Sequence, residues 1–284
     1  MLSRAGFAAK DGALPIGRPA AGGACRNVDG LRELGQVAHD ALGLGDERGA
    51  GAPRQLVDVK KQRDDLRAAV AFARAQPRID PARIALWGTS LGGSHVATVA
   101  AEDQNIAAVI LNMPALDAIK GGNVENKRKA LAVSRSAVLW TTLRMIGAAL
   151  DDALRGALGR APRYLKVYGK PGTAFFTDPA LAQNFERLAQ GSRTWENRVA
   201  ARFLLAAPRY REGTMERIAA PMLVCLAEHD REISNAYVMK KVARAPRAEI
   251  RTYPHGHFEL YHGAAFEQLV ADQVSFLSHR LKGA

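Results

Sequence analysis

Cysteine is scarce in this sequence, which holds Cys25 and Cys225 and no others among its 284 residues. Two distant thiols make neither a disulfide framework nor a zinc site by themselves, and a reducing, cytoplasmic compartment is the simplest expectation. Long apolar runs are also missing. None approaches the ~18 residues of a membrane-spanning helix. Residues 1–10 have no long apolar stretch ahead of a small-residue cleavage site, so no secretory signal is expected. No H-x-x-x-H or paired-Cys spacing suggests a metal, and no G-x-x-x-x-G-K or G-x-G-x-x-G suggests a nucleotide; the expectation is no cofactor and no metal.

What is present reads as a globular protein. Hydrophobic residues make up 48% and charged residues 24%, which excludes a largely disordered chain, a collagen repeat or a coiled coil. The length suits one large domain or two small ones. The net charge is +12. The excess is concentrated between Lys120 and Arg217, where 18 Lys and Arg stand against 8 Asp and Glu. Such a segment is either a solvated arginine-rich face or a basic surface for an acidic substrate, a nucleic acid or an anionic membrane. No zinc finger, RNA-recognition aromatic motif or basic zipper accompanies it, so no nucleic-acid partner is expected.

Residues 1–52 are rich in Ala and Gly and lack a strand pattern; residues 31–44 could form a short helix. From Pro53 the grammar sharpens. Leu56, Val59, Leu66, Val70 and Ala73 recur at helical spacing over residues 55–76, and Pro77 stops that helix. Asp80-Pro81 reads as a turn. Residues 84–87 (IALW) form a short apolar run of the kind buried on both faces of a sheet. A small-residue helix over 91–102 and a second buried strand over 106–111 complete a parallel βαβ unit. Residues 113–218 break the rhythm. Leu139, Leu143, Ile146, Leu150 and Leu154 repeat at 3.6 spacing, a pattern expected to pack in a core, with membrane contact as the alternative. A helix over 195–205 is predicted and no strands are expected, so the segment reads as a helical insertion. The α/β pattern returns with strands over 222–226 and 248–253 and helices over 234–243 and 264–281. The expected organisation is an atypical segment 1–52, an α/β core of 53–112 and 219–284, and a helical cap insertion 113–218.

The chemistry concentrates at Gly88-Thr89-Ser90-Leu91-Gly92. A G-x-S-x-G between a buried strand and a helix is the signature of a nucleophile elbow. The turn is so tight that residues two positions either side of the serine must be small. Ser90 would project its hydroxyl at the carboxyl end of the sheet, and the Leu91 N–H would serve an oxyanion. A serine hydroxyl is a poor nucleophile without a base, and its partners follow in the order acid, then histidine. Asp230, in the loop after strand 222–226, is the leading acid, with Glu228, Glu232 and Asp117 as alternatives. His257, after strand 248–253, is the leading base, with His255 second. His39, His95, His229, His262 and His279 are more simply structural, although His95 lies on the elbow helix.

With Ser90, Asp230 and His257, the chain resembles a bacterial α/β-hydrolase. Residues 53–58 (PRQLVD), 83–93 (RIALWGTSLGG), 194–202 (TWENRVAAR) and 221–230 (PMLVCLAEHD) are similar to the dienelactone-hydrolase and acetyl-xylan-esterase-like group, which borders the serine-aminopeptidase and prolyl-oligopeptidase-like enzymes. The resemblance runs from about Pro53 to the C-terminus. It implies an α/β fold with a mostly parallel sheet flanked by helices, and a serine hydrolase acting on a small-molecule ester or amide, with amide cleavage and acyl transfer using the same triad. It also implies early strands and a His-Gly oxyanion motif. Residues 1–52 contain neither, so the sheet is expected to lack some early strands. Residues 1–52 read as a truncated or frame-shifted relic, and a catalytically impaired remnant is the competing expectation.

Overall fold

The computed structural model describes residues 3–9, 55–77, 79–124, 128, 132–190, 192 and 195–281. The helix expected over 31–44 lies outside them. The described chain divides into two compact units, one containing Lys60–Gly122 and everything from Pro208 onward, the other containing residues 55–59 and Asn123–Ala207.

The first unit has the α/β-hydrolase fold. Among the described residues its sheet has five strands in the order β1-β2-β3-β7-β8, where β1 is Ser3–Ala9, β2 Ile79–Thr89, β3 Ala108–Asn112, β7 Met222–Ala227 and β8 Ala248–Tyr253. Strands β2, β3, β7 and β8 are parallel; β1 runs antiparallel to β2 along the edge. Parallel strands need crossovers. Helix α2 (Leu91–Glu102) joins β2 to β3, and α5 (Asn235–Val242) joins β7 to β8. Helix α1 (Val59–Arg74) precedes β2, and α6 (Gly263–Leu281) follows β8.

Alternation along the strands divides the core into two layers. Ile84, Leu86, Val109, Leu111, Met222, Val224 and Leu226 face one way, against Leu66 and Val70 of α1, Val96 of α2 and Val238 of α5. Ala85, Ala108, Ile110, Leu223, Cys225 and Ala227 face the other way, against Leu269, Phe276 and Leu281 of α6. Burial on both faces explains the continuous apolar runs in the sequence. It also pushes the Cys225 thiol pKa up to about 12.

Several elements differ from expectation. Strand β2 is longer than residues 84–87 and takes in Asp80-Pro81. Pro81 has no N–H for a ladder, and β3 pairs only with Ala85–Thr89. Asp80 still performs its turn chemistry locally, its Oδ1 accepting the Ala82 N–H at 3.0 Å. Residues 106–107 precede β3 rather than belong to it. The edge strand β1 lies within the segment where no strand was expected; its small residues carry little β signal, and the register against Ile84–Gly88 supplies the order.

The second unit lies in sequence between β3 and β7. Its described residues include the helices α3 (Arg135–Ala157) and α4 (Leu181–Ala189) and a small sheet ordered β5-β4-β6, where β4 is Tyr164–Tyr168, β5 Ala174–Phe176 and β6 Val199–Ala200. The expectation of an all-helical insertion is therefore corrected, and so is the helix over 195–205. Those residues form β6, paired with Tyr164 and Leu165, and then a 3-10 helix, Ala201–Leu205. The override is tertiary. The buried Asp152 of α3 accepts the Arg163 N–H at 2.7 Å, the Arg202 N–H at 2.8 Å and the Arg202 guanidinium Nε–H at 2.9 Å. A buried carboxylate must be paired in this way, and its partners fix the chain where propensity alone favours a helix. The Leu139–Leu154 stripe is also corrected, since its side chains are exposed rather than packed in a core.

Candidate active site

Ser90 stands where β2 ends and α2 begins, with φ 50° and ψ −117°. A serine with positive φ carries backbone strain, which persists only where the surroundings enforce it. Here they do. The Ser90 N–H donates to the Asn112 carbonyl at 2.8 Å, and the Ser90 carbonyl accepts from Gly93 N–H at 3.0 Å and Ala115 N–H at 2.8 Å. A Cβ on Gly88 would collide with the Gly92 carbonyl and lie 2.8 Å from Val96 Cγ2, and one on Gly93 would lie 2.7 Å from Pro114 Cβ. The glycines are thus a steric requirement of the turn. Leu91 is the first residue of α2, so its N–H has no partner in the helix ladder.

Asp230 and His257 meet. His257 Nδ1 lies 2.7 Å from Asp230 Oδ2, and both side chains are buried. A carboxylate only accepts, so Nδ1 carries the proton of this contact. The other oxygen, Asp230 Oδ1, accepts the N–H groups of Glu232 at 2.7 Å and Ile233 at 2.8 Å. The Asp230 carboxylate is therefore held by its own loop as well as by the ring. The His257 ring is bounded by Phe258 and Tyr261, with ring centroids 4.9 Å and 6.2 Å away.

The other candidates are accounted for. Asp117 is buried, yet its oxygens accept the N–H groups of Ile119, Lys120 and Tyr210. Burial opposes its ionisation, but those bonds win and hold its pKa below the usual carboxylate range. Glu228 is exposed. His255 faces Glu259 at 3.9 Å. Glu259 Oε2 accepts the Gly256 N–H at 2.8 Å, so the His257 loop is shaped by that bond rather than by a left-handed glycine.

Two bracing contacts escaped sequence reasoning. Thr89 Oγ1 and Tyr261 Oη lie 2.7 Å apart, tying the elbow to the segment that follows His257. Burial pushes the Tyr261 phenol pKa up, so it stays protonated. Buried Gln273 of α6 accepts from Trp87 Nε1–H at 2.9 Å and donates to Asn112 Oδ1 at 2.9 Å, beside the carbonyl that holds Ser90. A glutamine among Leu269, Val270 and Phe276 on a buried helix face is the signal that could have revealed it.

His95 is fully buried on α2, with Nε2 3.0 Å from Gln62 Oε1. Burial, aided by the nearby Arg63 charge, lowers its pKa from 6.5 to about 3. The native state therefore refuses a proton that the unfolded chain accepts below about 6.5. Stability is full above that pH and falls as pH drops toward about 3, by at most ~1.4 kcal/mol per pH unit for one proton. Denaturation midpoints of the parent and His95→Gln across that window should show a shallower slope in the variant; equal slopes contradict this account.

Residues 31–268 match the serine aminopeptidase, S33, family. The chain belongs to that family. Its likeness to known proteins begins before Pro53. It is 38% identical over 229 residues to the quorum-quenching protein AidA of Acinetobacter baumannii, covering 80% of this chain and 71% of that protein. It is 27% identical over 245 residues to the polyketide transferase ATR5 of Stachybotrys chlorohalonatus, covering 82% and 75%. The solved structure of DcsB with its substrate analogue shares the fold, with a TM-score of 0.64 at 21% identity over 85% of this chain and 78% of that one.

Proposed function

We propose that this S33-family hydrolase is a serine esterase with Ser90 as nucleophile, His257 as base and Asp230 as the acid that orients it. The observation that carries the reading is the 2.7 Å contact between His257 Nδ1 and Asp230 Oδ2, together with the strained serine at the head of α2. In the proposed reaction Ser90 Oγ attacks the ester carbonyl while His257 Nε2 takes its proton. The carbonyl electrons move to oxygen, and the Leu91 N–H faces the resulting oxyanion. As the tetrahedral species collapses, the alcohol leaves with the proton from His257. Water, activated by the same imidazole, releases the acid and restores Ser90. Asp230 keeps the ring in the required tautomer and stabilises the imidazolium.

A second reading, acyl transfer, is favoured by one relative being named a polyketide transferase. It uses the same acyl-enzyme and differs only in the acceptor. The test is turnover of p-nitrophenyl esters of graded chain length and of the matching anilides, with and without an added alcohol. The esterase reading expects ester cleavage far faster than anilide cleavage, with free acid as the product. Ester exchange dominating over free acid would assign acyl transfer instead. No turnover of any acyl substrate by folded protein would overturn both.

A further inference from the structure

Helix α3 turns its most apolar face to solvent. Leu139, Trp140, Leu143, Ile146, Leu150 and Leu154 are each 44–64% exposed, while Ala148, Ala149 and Asp152 on the opposite side are buried. Spacings of three and four residues align the five aliphatic side chains in one stripe. At 1.5 Å per residue the stripe is about 23 Å long. It contains no charged side chain. Arg144 and Arg155 are exposed to its side, and Asp151 is engaged by Arg155 and Arg163, both at 3.1 Å. The sequence leading into α3 carries Lys127, Arg128 and Lys129 against Glu125, and Arg135 opens the helix.

A contiguous apolar surface of this kind marks an interaction site, and the charge indicates the occupant. Among the described residues no helix is long and apolar enough to cross a membrane, so α3 would lie on a surface rather than span it. Pairing two copies through α3 would bring two basic segments together, each with 18 Lys and Arg against 8 Asp and Glu, and like charges oppose such an interface. An anionic lipid surface turns the same charges into an attraction. Apolar residues on one side, arginines beside them and a tryptophan at the edge are what an interfacial helix needs. We propose that α3 docks this protein on an anionic lipid bilayer, with Leu139, Leu143, Ile146, Leu150 and Leu154 in the acyl boundary and the basic residues among the headgroups. The proposal is independent of the esterase reading.

The experiment is co-sedimentation of the full chain with vesicles of phosphatidylcholine alone and of phosphatidylcholine mixed with phosphatidylglycerol, at low and high salt. Binding to the mixed vesicles is expected, weakening with salt. The Leu143→Glu/Leu150→Glu variant should bind about tenfold less or weaker still. The unaltered protein supplies a second readout free of any folding defect: on binding, Trp140 fluorescence should shift to the blue and be quenched by brominated acyl chains, a response that Trp140→Phe removes. Four results would each overturn the proposal. They are no binding by the folded chain, equal binding to phosphatidylcholine alone, undiminished binding by a folded double-glutamate variant, and a solution dimer that the same variant dissociates.

Discussion

Replacing His257 by alanine is expected to lower kcat on a p-nitrophenyl ester by about a millionfold, the scale seen when a triad loses its base. The physical reason is the weakness of a neutral hydroxyl as a nucleophile. With the imidazole gone, Ser90 has no group to take its proton, and the water that must release the acyl group has none to activate it. The loss should appear in kcat, because the ring is proposed to act on the reacting atoms rather than on ground-state binding. Folding must be checked alongside, since the His257 ring is buried beside Phe258 and Tyr261. An unchanged circular dichroism spectrum with activity within about tenfold of the parent would remove His257 from the proposed role.

The second large effect is expected from Asp230→Asn, on the order of 10⁴ in kcat. This substitution keeps the shape and one carbonyl oxygen, which can still accept the N–H groups of Glu232 and Ile233. That oxygen is then committed to the loop, and the amide NH2 faces His257. A donor opposite Nδ1 favours the tautomer with its proton on Nε2, the nitrogen that must accept the serine proton. The prediction is therefore a tautomer effect with little loss of fold. It is checked by the ratio of kcat to the parent's together with the thermal midpoint. A fall in activity only in proportion to a fall in folded fraction would make Asp230 a structural loop residue and nothing more.

How far these features were legible in the sequence depended on whether their cause was local. The elbow was legible because its cause is steric and contained in five residues: Gly88 has no room for a side chain against Gly92 and Val96. The strand over 222–226 was legible because burial on both faces leaves a compositional trace, and the one over 248–253 because its residues alternate. Asp230 and His257 were singled out from chain order, and their contact, 27 positions apart, is what the structure adds. Helix 195–205 was misread because Asp152, far off in sequence, pins Arg202 and its neighbours into a strand and a tight turn. The stripe on α3 was misread for a different reason. Helical periodicity announces an apolar face but says nothing of what covers it, and here the face remains exposed. Tyr261 was invisible because it acts through a side-chain bond to Thr89, which no spacing rule encodes, while Gln273, bonded to Asn112, shows only as a polar residue on a buried helix face.

The most direct test of the nucleophile is covalent capture. A fluorophosphonate reacts with a serine only where a base activates its hydroxyl. Incubating the purified chain with such a probe, digesting it and sequencing the labelled peptide by mass spectrometry reads out which atom reacts. The proposed triad predicts a single adduct on Ser90, absent from Ser90→Ala and strongly slowed in His257→Ala. A folded parent protein that takes no label, or one labelled at another residue, would contradict it and leave a hydrolase fold without the chemistry assigned to it.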